Sequence, residues 1–104
     1  MSQQQTYIYM IRATRQDFSP EAMTPLEQQL MGEHWVYLKQ LFAEGQVILA
    51  GPATDGAFGI VIFEAGSLED ARQIAANDPA VKGGIMGVEL HQYRVSLLRQ
   101  APAR

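Results

Sequence analysis

Apolar side chains in residues 6–13, TYIYMIRA, occupy both faces of an extended chain, with Tyr7, Tyr9 and Ile11 on one and Ile8 and Met10 on the other. This pattern predicts a strand buried on both sides, broken only by Arg12. Residues 14–23 turn polar, with Asp17, Ser19 and Pro20, and lead into Thr24-Pro25-Leu26-Glu27. That tetrapeptide reads as a helix start. Thr24 is the N-cap, Pro25 takes the first helical position, where a missing N–H costs nothing, and Glu27 closes a capping box. The helix should run to about Glu44 and stop at Gly45, whose tolerance of positive φ suits a C-terminal cap.

The second half repeats the logic with shorter elements. Gln46–Ala50 reads as a strand, followed by Gly51-Pro52 and the turn signal Thr54-Asp55-Gly56. Ala57–Ala65 is the return strand, apolar or small on both faces. Ser67 then caps a second helix with Asp70 at the box position, continuing to Asn77 and broken at Asp78-Pro79. After the glycine-rich turn Lys82–Gly87, a last strand is predicted over Val88–Leu98, apolar on one face only, as an edge strand would be. The tail from Arg99 is expected to fray.

The order is βαββαβ, an α+β pattern that matches the ferredoxin-like split βαβ plan with sheet order 4-1-3-2. Strands 1 and 3, apolar on both faces, then lie in the centre of a four-stranded antiparallel sheet. Two helices cover one side of such a sheet, so the other apolar side predicts a homodimer packed sheet on sheet.

With 104 residues, 47% of them hydrophobic, the chain fits a single domain spanning 1–104. Eight basic residues against 11 acidic give a net charge of −3, which argues against a phosphate-binding surface and so against nucleic acid as a partner. The absence of cysteine removes disulfides, thiolate metal sites and a thiol nucleophile. No apolar run approaches the roughly 20 residues of a membrane span, and the start lacks a secretory pattern, so a cytoplasmic setting is expected.

Candidate chemistry rests on few residues. His34 can move protons near neutral pH and falls near the middle of the apolar arc formed by Leu26, Leu30, Met31, Tyr37, Leu38, Leu41 and Phe42. An inward imidazole needs a polar partner. In the split βαβ plan the helices are antiparallel, and His34 sits about 15 Å before the end of the first while Asp78 sits about 16.5 Å past the start of the second. The two should share a level. Asp78 would also be an acid at a helix C-terminus, an end that disfavours negative charge and calls for a compensating group. A carboxylate there would fix the imidazole tautomer and leave the other ring nitrogen to act on a ligand. Singly, each residue also has a plain reading, His34 as a satisfied core residue and Asp78 as turn chemistry before proline.

Gly51 and Pro52 could shape a pocket floor or simply end a strand. Arg12 could bind an anionic group or reach to solvent. Trp35 reads as rim or interface, Lys82-Gly83-Gly84 lacks phosphate-loop spacing, and His91 has no second imidazole near it for a metal.

Leu49-Ala50-Gly51-Pro52 after a helix carrying His34, followed by Asn77-Asp78-Pro79 and Val81-Lys82-Gly83-Gly84, resembles the YCII-related (YciI-like) family over nearly the whole chain. The resemblance implies a dimeric α+β barrel and a catalytic His–Asp pair at His34 and Asp78. Some members resemble enzymes that eliminate chloride from, or isomerise, small ring compounds. The chain departs from the family at Ala80, where an aromatic is common, and in Met31-Gly32-Glu33, which lacks a basic residue that many relatives carry. The expected function is therefore proton transfer by His34, oriented by Asp78, on a small cyclic compound, with Gly51, Pro52 and Arg12 contacting the ligand and no cofactor required. The alternatives are a non-catalytic ligand-binding or interaction module with a structural His–Asp pair, and a haem- or oxygen-using monooxygenase with His34 as axial ligand.

Overall fold

The computed structural model describes residues 4–99; residues 1–3 and the tail 100–104, most of the segment expected to fray, lie outside the described residues. Four strands, β1 (Gln5–Ala13), β2 (Val47–Pro52), β3 (Gly59–Ala65) and β4 (Met86–Gln92), alternate with α1 (Pro25–Ala43), α2 (Leu68–Ala76) and a short α3 (Pro79–Lys82). The sheet order is β2-β3-β1-β4, the predicted order read from its other edge, and every neighbouring pair is antiparallel. Among the described residues no helix is long and apolar enough to cross a membrane.

The cap expected at Thr24 forms. Thr24 Oγ1 accepts from the Glu27 amide at 3.1 Å, and Glu27 Oε1 accepts from the Thr24 amide at 2.9 Å. Arg15 completes it by donating to both Glu27 oxygens at 2.7 Å and to the Ala22 carbonyl at 2.9 Å. These bonds, the Arg15 guanidinium first, hold the Glu27 carboxyl down at about 2. They also tie the segment between β1 and α1 to the first turn of the helix. At the other end of α1 the chain turns through Gly45 at φ 84°, the left-handed conformation for which glycine is suited.

Three expectations need correction. The last strand is shorter than Val88–Leu98 and starts earlier, at Met86. Among the described residues its only partner strand is β1, and once Gln92 has paired with Tyr7 and the Tyr93 amide has donated to the Thr6 carbonyl, little of that partner remains. Leu26 and Phe42, placed on the buried arc of α1, are 57% and 64% exposed. Both lie in the terminal turns, and the buried stripe runs instead through the middle of the helix to Leu38 and Leu41. Finally, Pro79–Lys82 forms α3 where only a break was expected.

The core lies between the sheet and the helices. Tyr7, Tyr9, Val61 and Phe63 supply it from the central strands, and α2 meets them with the small residues Ala71 and Ala75. Burying each large apolar side chain contributes about 1.5–3 kcal/mol. The Tyr9 and Phe63 rings meet edge to face, with centroids 5.7 Å apart and planes at 74°. α3 sits close to α1 because residue 83 is glycine: a Cβ there would lie 2.6 Å from Leu30 Cδ1 and 2.9 Å from the Pro79 carbonyl oxygen.

The opposite face of the sheet carries Ile8, Met10, Ile60, Ile62 and Leu49, as their cross-strand register requires. No helix covers it. Ile62 is only 6% exposed between its partners, Ile8 and Leu49, while Leu49 itself remains exposed. Arg12, Glu89 and His91 share this face, with Glu89 bound to His91 Nε2 at 2.7 Å.

Candidate functional site

α1 directs His34 toward the junction of α2 and α3, where Asp78 waits with no exposed surface. His34 Nδ1 lies 2.8 Å from Asp78 Oδ1 and 2.7 Å from Oδ2. The shared level expected from helix rise is thus realised as a direct contact. Asp78 accepts two further bonds, from the Tyr9 hydroxyl to Oδ2 at 2.6 Å and from the Ala80 amide to Oδ1 at 3.0 Å.

The Ala80 bond corrects the electrostatic argument made from sequence. Asp78 does follow α2, but it is also the N-cap of α3, so an amide donor rather than bare helix carbonyls faces its carboxylate. The compensation expected from an imidazolium is supplied in part by the backbone. With Nδ1 facing an acceptor, the neutral ring carries its proton on Nδ1 and keeps its lone pair at Nε2, an assignment made from the hydrogen-bond partners. Nε2 has no hydrogen-bond partner among the described residues.

The side chain of His34 is 12% exposed, and that exposure opens into a cavity of about 430 Å³. Apolar walls come from Phe18, Met31, Trp35, Leu38, Phe58 and Val61. Arg12, Gly51 and Pro52 line the same space, so four of the five residues singled out in the sequence border one cavity. The fifth, Asp78, stands behind His34. Arg12 borders the cavity where it opens at the end of β1, and its half-exposed guanidinium turns to the outer face of the sheet, 6.0 Å from the Phe58 ring centroid and 3.8 Å from Glu89. Gly51 is the penultimate residue of β2, with open space where a Cβ would point.

Trp35 also borders the cavity while remaining largely exposed, with Lys39 Nζ 5.6 Å from its ring centroid. Tyr9 was missed as a site residue. The available signal was its place on an inward face of a central strand, since a buried phenol hydroxyl usually finds a partner. Burial, then the Asp78 charge and hydrogen bond, push the Tyr9 phenol well above its ordinary range. Burial and the same charge push Tyr37 up to about 12, and its hydroxyl donates to the Ile74 carbonyl at 2.7 Å.

A four-stranded antiparallel sheet with helices on one face and a cavity between the layers defines a small α+β domain of the ferredoxin-like plan. The chain belongs to the YCII-related domain family, which matches residues 7–93. It is 31% identical over 68 residues to the uncharacterized protein YjpA of Bacillus subtilis (strain 168), covering 65% of this chain and 80% of that one. Among solved structures, it resembles 5-chloro-2-hydroxyhydroquinone dehydrochlorinase (TftG) from Burkholderia phenoliruptrix AC1100, in complex with 2,5-dihydroxybenzoquinone. That likeness has a TM-score of 0.60 at 18% identity and covers 84% of this chain and 93% of that one. A second likeness, to MtbAldR, has a TM-score of 0.51 at 15% identity and covers 92% of this chain and 58% of that one. Both likenesses concern the fold.

Proposed function

We propose that this protein is a small-molecule enzyme in which His34 moves a proton on a cyclic organic compound bound in the cavity, leading to elimination or isomerisation. One observation carries the reading: the imidazole is held through Nδ1 by a fully buried carboxylate while its ring borders a cavity of ligand size. Nε2 takes a proton from a ring hydroxyl or C–H. The released electron pair then forms a double bond in the ring as a leaving group departs, or moves a double bond when His34 returns the proton at another carbon. Asp78 keeps the ring oriented and stabilises the imidazolium formed on the way. The apolar walls accept the carbon ring, Gly51 and Pro52 bound one side of it, and Arg12 meets an anionic substituent at the rim. No cofactor enters this scheme.

The ring-compound complex of TftG supports the choice of substrate class. The apolar outer face of the sheet supports a homodimer packed sheet on sheet. The test is turnover of a panel of chlorinated and hydroxylated quinols, followed by chloride release and absorbance, with His34→Gln in parallel. General acid–base catalysis predicts a loss of about 10²–10⁴-fold in the variant. An activity that His34→Gln retains in full refutes the mechanism. A variant that loses only stability, with no turnover by the parent, returns the pair to a structural role.

A further inference from the structure

We infer that the Tyr9 hydroxyl is a positioning group for the His34–Asp78 pair: by donating to Asp78 Oδ2 from the central strand, it keeps a fully buried carboxylate ionised and aimed at the imidazole. The consequence for catalysis rests on the proton-transfer reading above; the measurement that tests it does not.

A carboxylate without exposed surface is costly to ionise unless donors surround it. Asp78 has three. The Ala80 amide belongs to the same turn and follows Asp78 wherever it goes. His34 is the group that would gain and lose a proton during a reaction, so its bond changes character each cycle. Tyr9 is the constant donor from outside the helical layer, anchoring Asp78 to the sheet over 2.6 Å. Its ring is fixed by the edge contact with Phe63 and by complete burial, so the hydroxyl has little freedom to point elsewhere. Tyr37 cannot replace it, because its hydroxyl is engaged with the Ile74 carbonyl.

The same bond has an electrostatic effect. A hydroxyl donating to Oδ2 draws charge from the oxygen that His34 Nδ1 approaches, so it weakens the hold of the carboxylate on an imidazolium proton. Tyr9 thereby keeps His34 able to release the proton it has taken. The ionisable groups surrounding the pair are Tyr9 from β1, Tyr37 from α1, and Arg12 and Asp55 across the cavity. Raised as it is by burial and by Asp78, the Tyr9 phenol remains a donor throughout the range in which histidine titrates.

Tyr9→Phe removes the hydroxyl and keeps the ring that packs on Phe63. Proton–carbon NMR of the two histidine rings, recorded across pH in the full chain, reads the effect, and His91 on the outer face of the sheet serves as an internal reference. The expected result is an upward move of the His34 midpoint of about one pH unit, with His91 unmoved. An unmoved His34 midpoint in folded Tyr9→Phe overturns the inference. Should the variant fail to fold, the Tyr9 hydroxyl proton of the parent serves instead: it should exchange slowly and shift as His34 titrates, and a resonance indifferent to that titration also overturns it. A protein with no turnover still shows the midpoint shift, while an absent shift leaves the His34→Gln result standing, so the two ideas fail separately.

Discussion

Replacing Asp78 by alanine removes one acceptor from three donors at once, and the cost follows from where each donor is left. The Tyr9 hydroxyl and Ala80 amide sit in the packed interior, where each unpaired donor costs about 1–3 kcal/mol. His34 borders the cavity and can turn to water, so it adds little. Relief from burying a charge offsets part of the loss, leaving a net destabilisation of about 3 kcal/mol, at the low end of what breaking a buried pair from one side costs. Asp78→Asn should cost less, about 1–2 kcal/mol, because its amide oxygen still accepts from Ala80 and its amide nitrogen can donate to the Tyr9 oxygen. It would also donate to His34 Nδ1 and drive the ring proton to Nε2, removing the lone pair left free at Nε2. Asn is therefore expected to preserve most of the fold and abolish the proton abstraction proposed for His34, while Ala impairs both. Urea unfolding of the parent and both variants, with equal m values as the check on comparability, measures the difference. An alanine variant within about 1 kcal/mol of the parent, or an asparagine variant less stable than the alanine one, refutes the reasoning.

Two other outcomes follow from the structure. Glu27 is held at about 2 in the folded chain and titrates higher when unfolded, so its contribution is fully present above the ordinary carboxylate range and disappears as pH falls toward about 2. Melting curves taken across that range should show an acid-side loss that Glu27→Gln flattens, and an identical acid limb in the variant would remove Arg15–Glu27 from the account. For the outer face of the sheet, sedimentation velocity at micromolar concentration should find the parent dimeric and Met10→Glu monomeric; a parent that sediments as a monomer removes the sheet-on-sheet interface.

The parts legible in the sequence were those fixed by short-range rules or by the geometry of regular elements. Thr24 and Glu27 are three residues apart, so their mutual capping can be read directly. The meeting of His34 with Asp78 lies 44 residues apart, yet it was legible because helix rise is constant and the topology sets the helices antiparallel. The length of β4 was not, since it depends on how far β1 extends beside it. α3 was hidden for another reason: four residues are too few to show a helical period, and the glycines after them resemble a turn. Tyr9 illustrates the remaining limit. Its alternation assigns it to an inward face, but only the assembled layers show which acceptor stands opposite its hydroxyl. Likewise Gly51, Pro52 and Arg12 could be nominated individually, whereas the space they enclose with His34 is a property of packing.

The close seat of α3 against α1 bears on all of this. Leu30 lies one turn before His34, and the hydrogen of Gly83 is what lets that leucine settle beside the backbone just beyond Asp78. Any larger group there would act as a wedge between the piece of chain bearing His34 and the piece bearing Asp78. The span across which the pair shares a proton is therefore gauged by an absent methyl, on a residue that touches neither the imidazole nor the carboxylate.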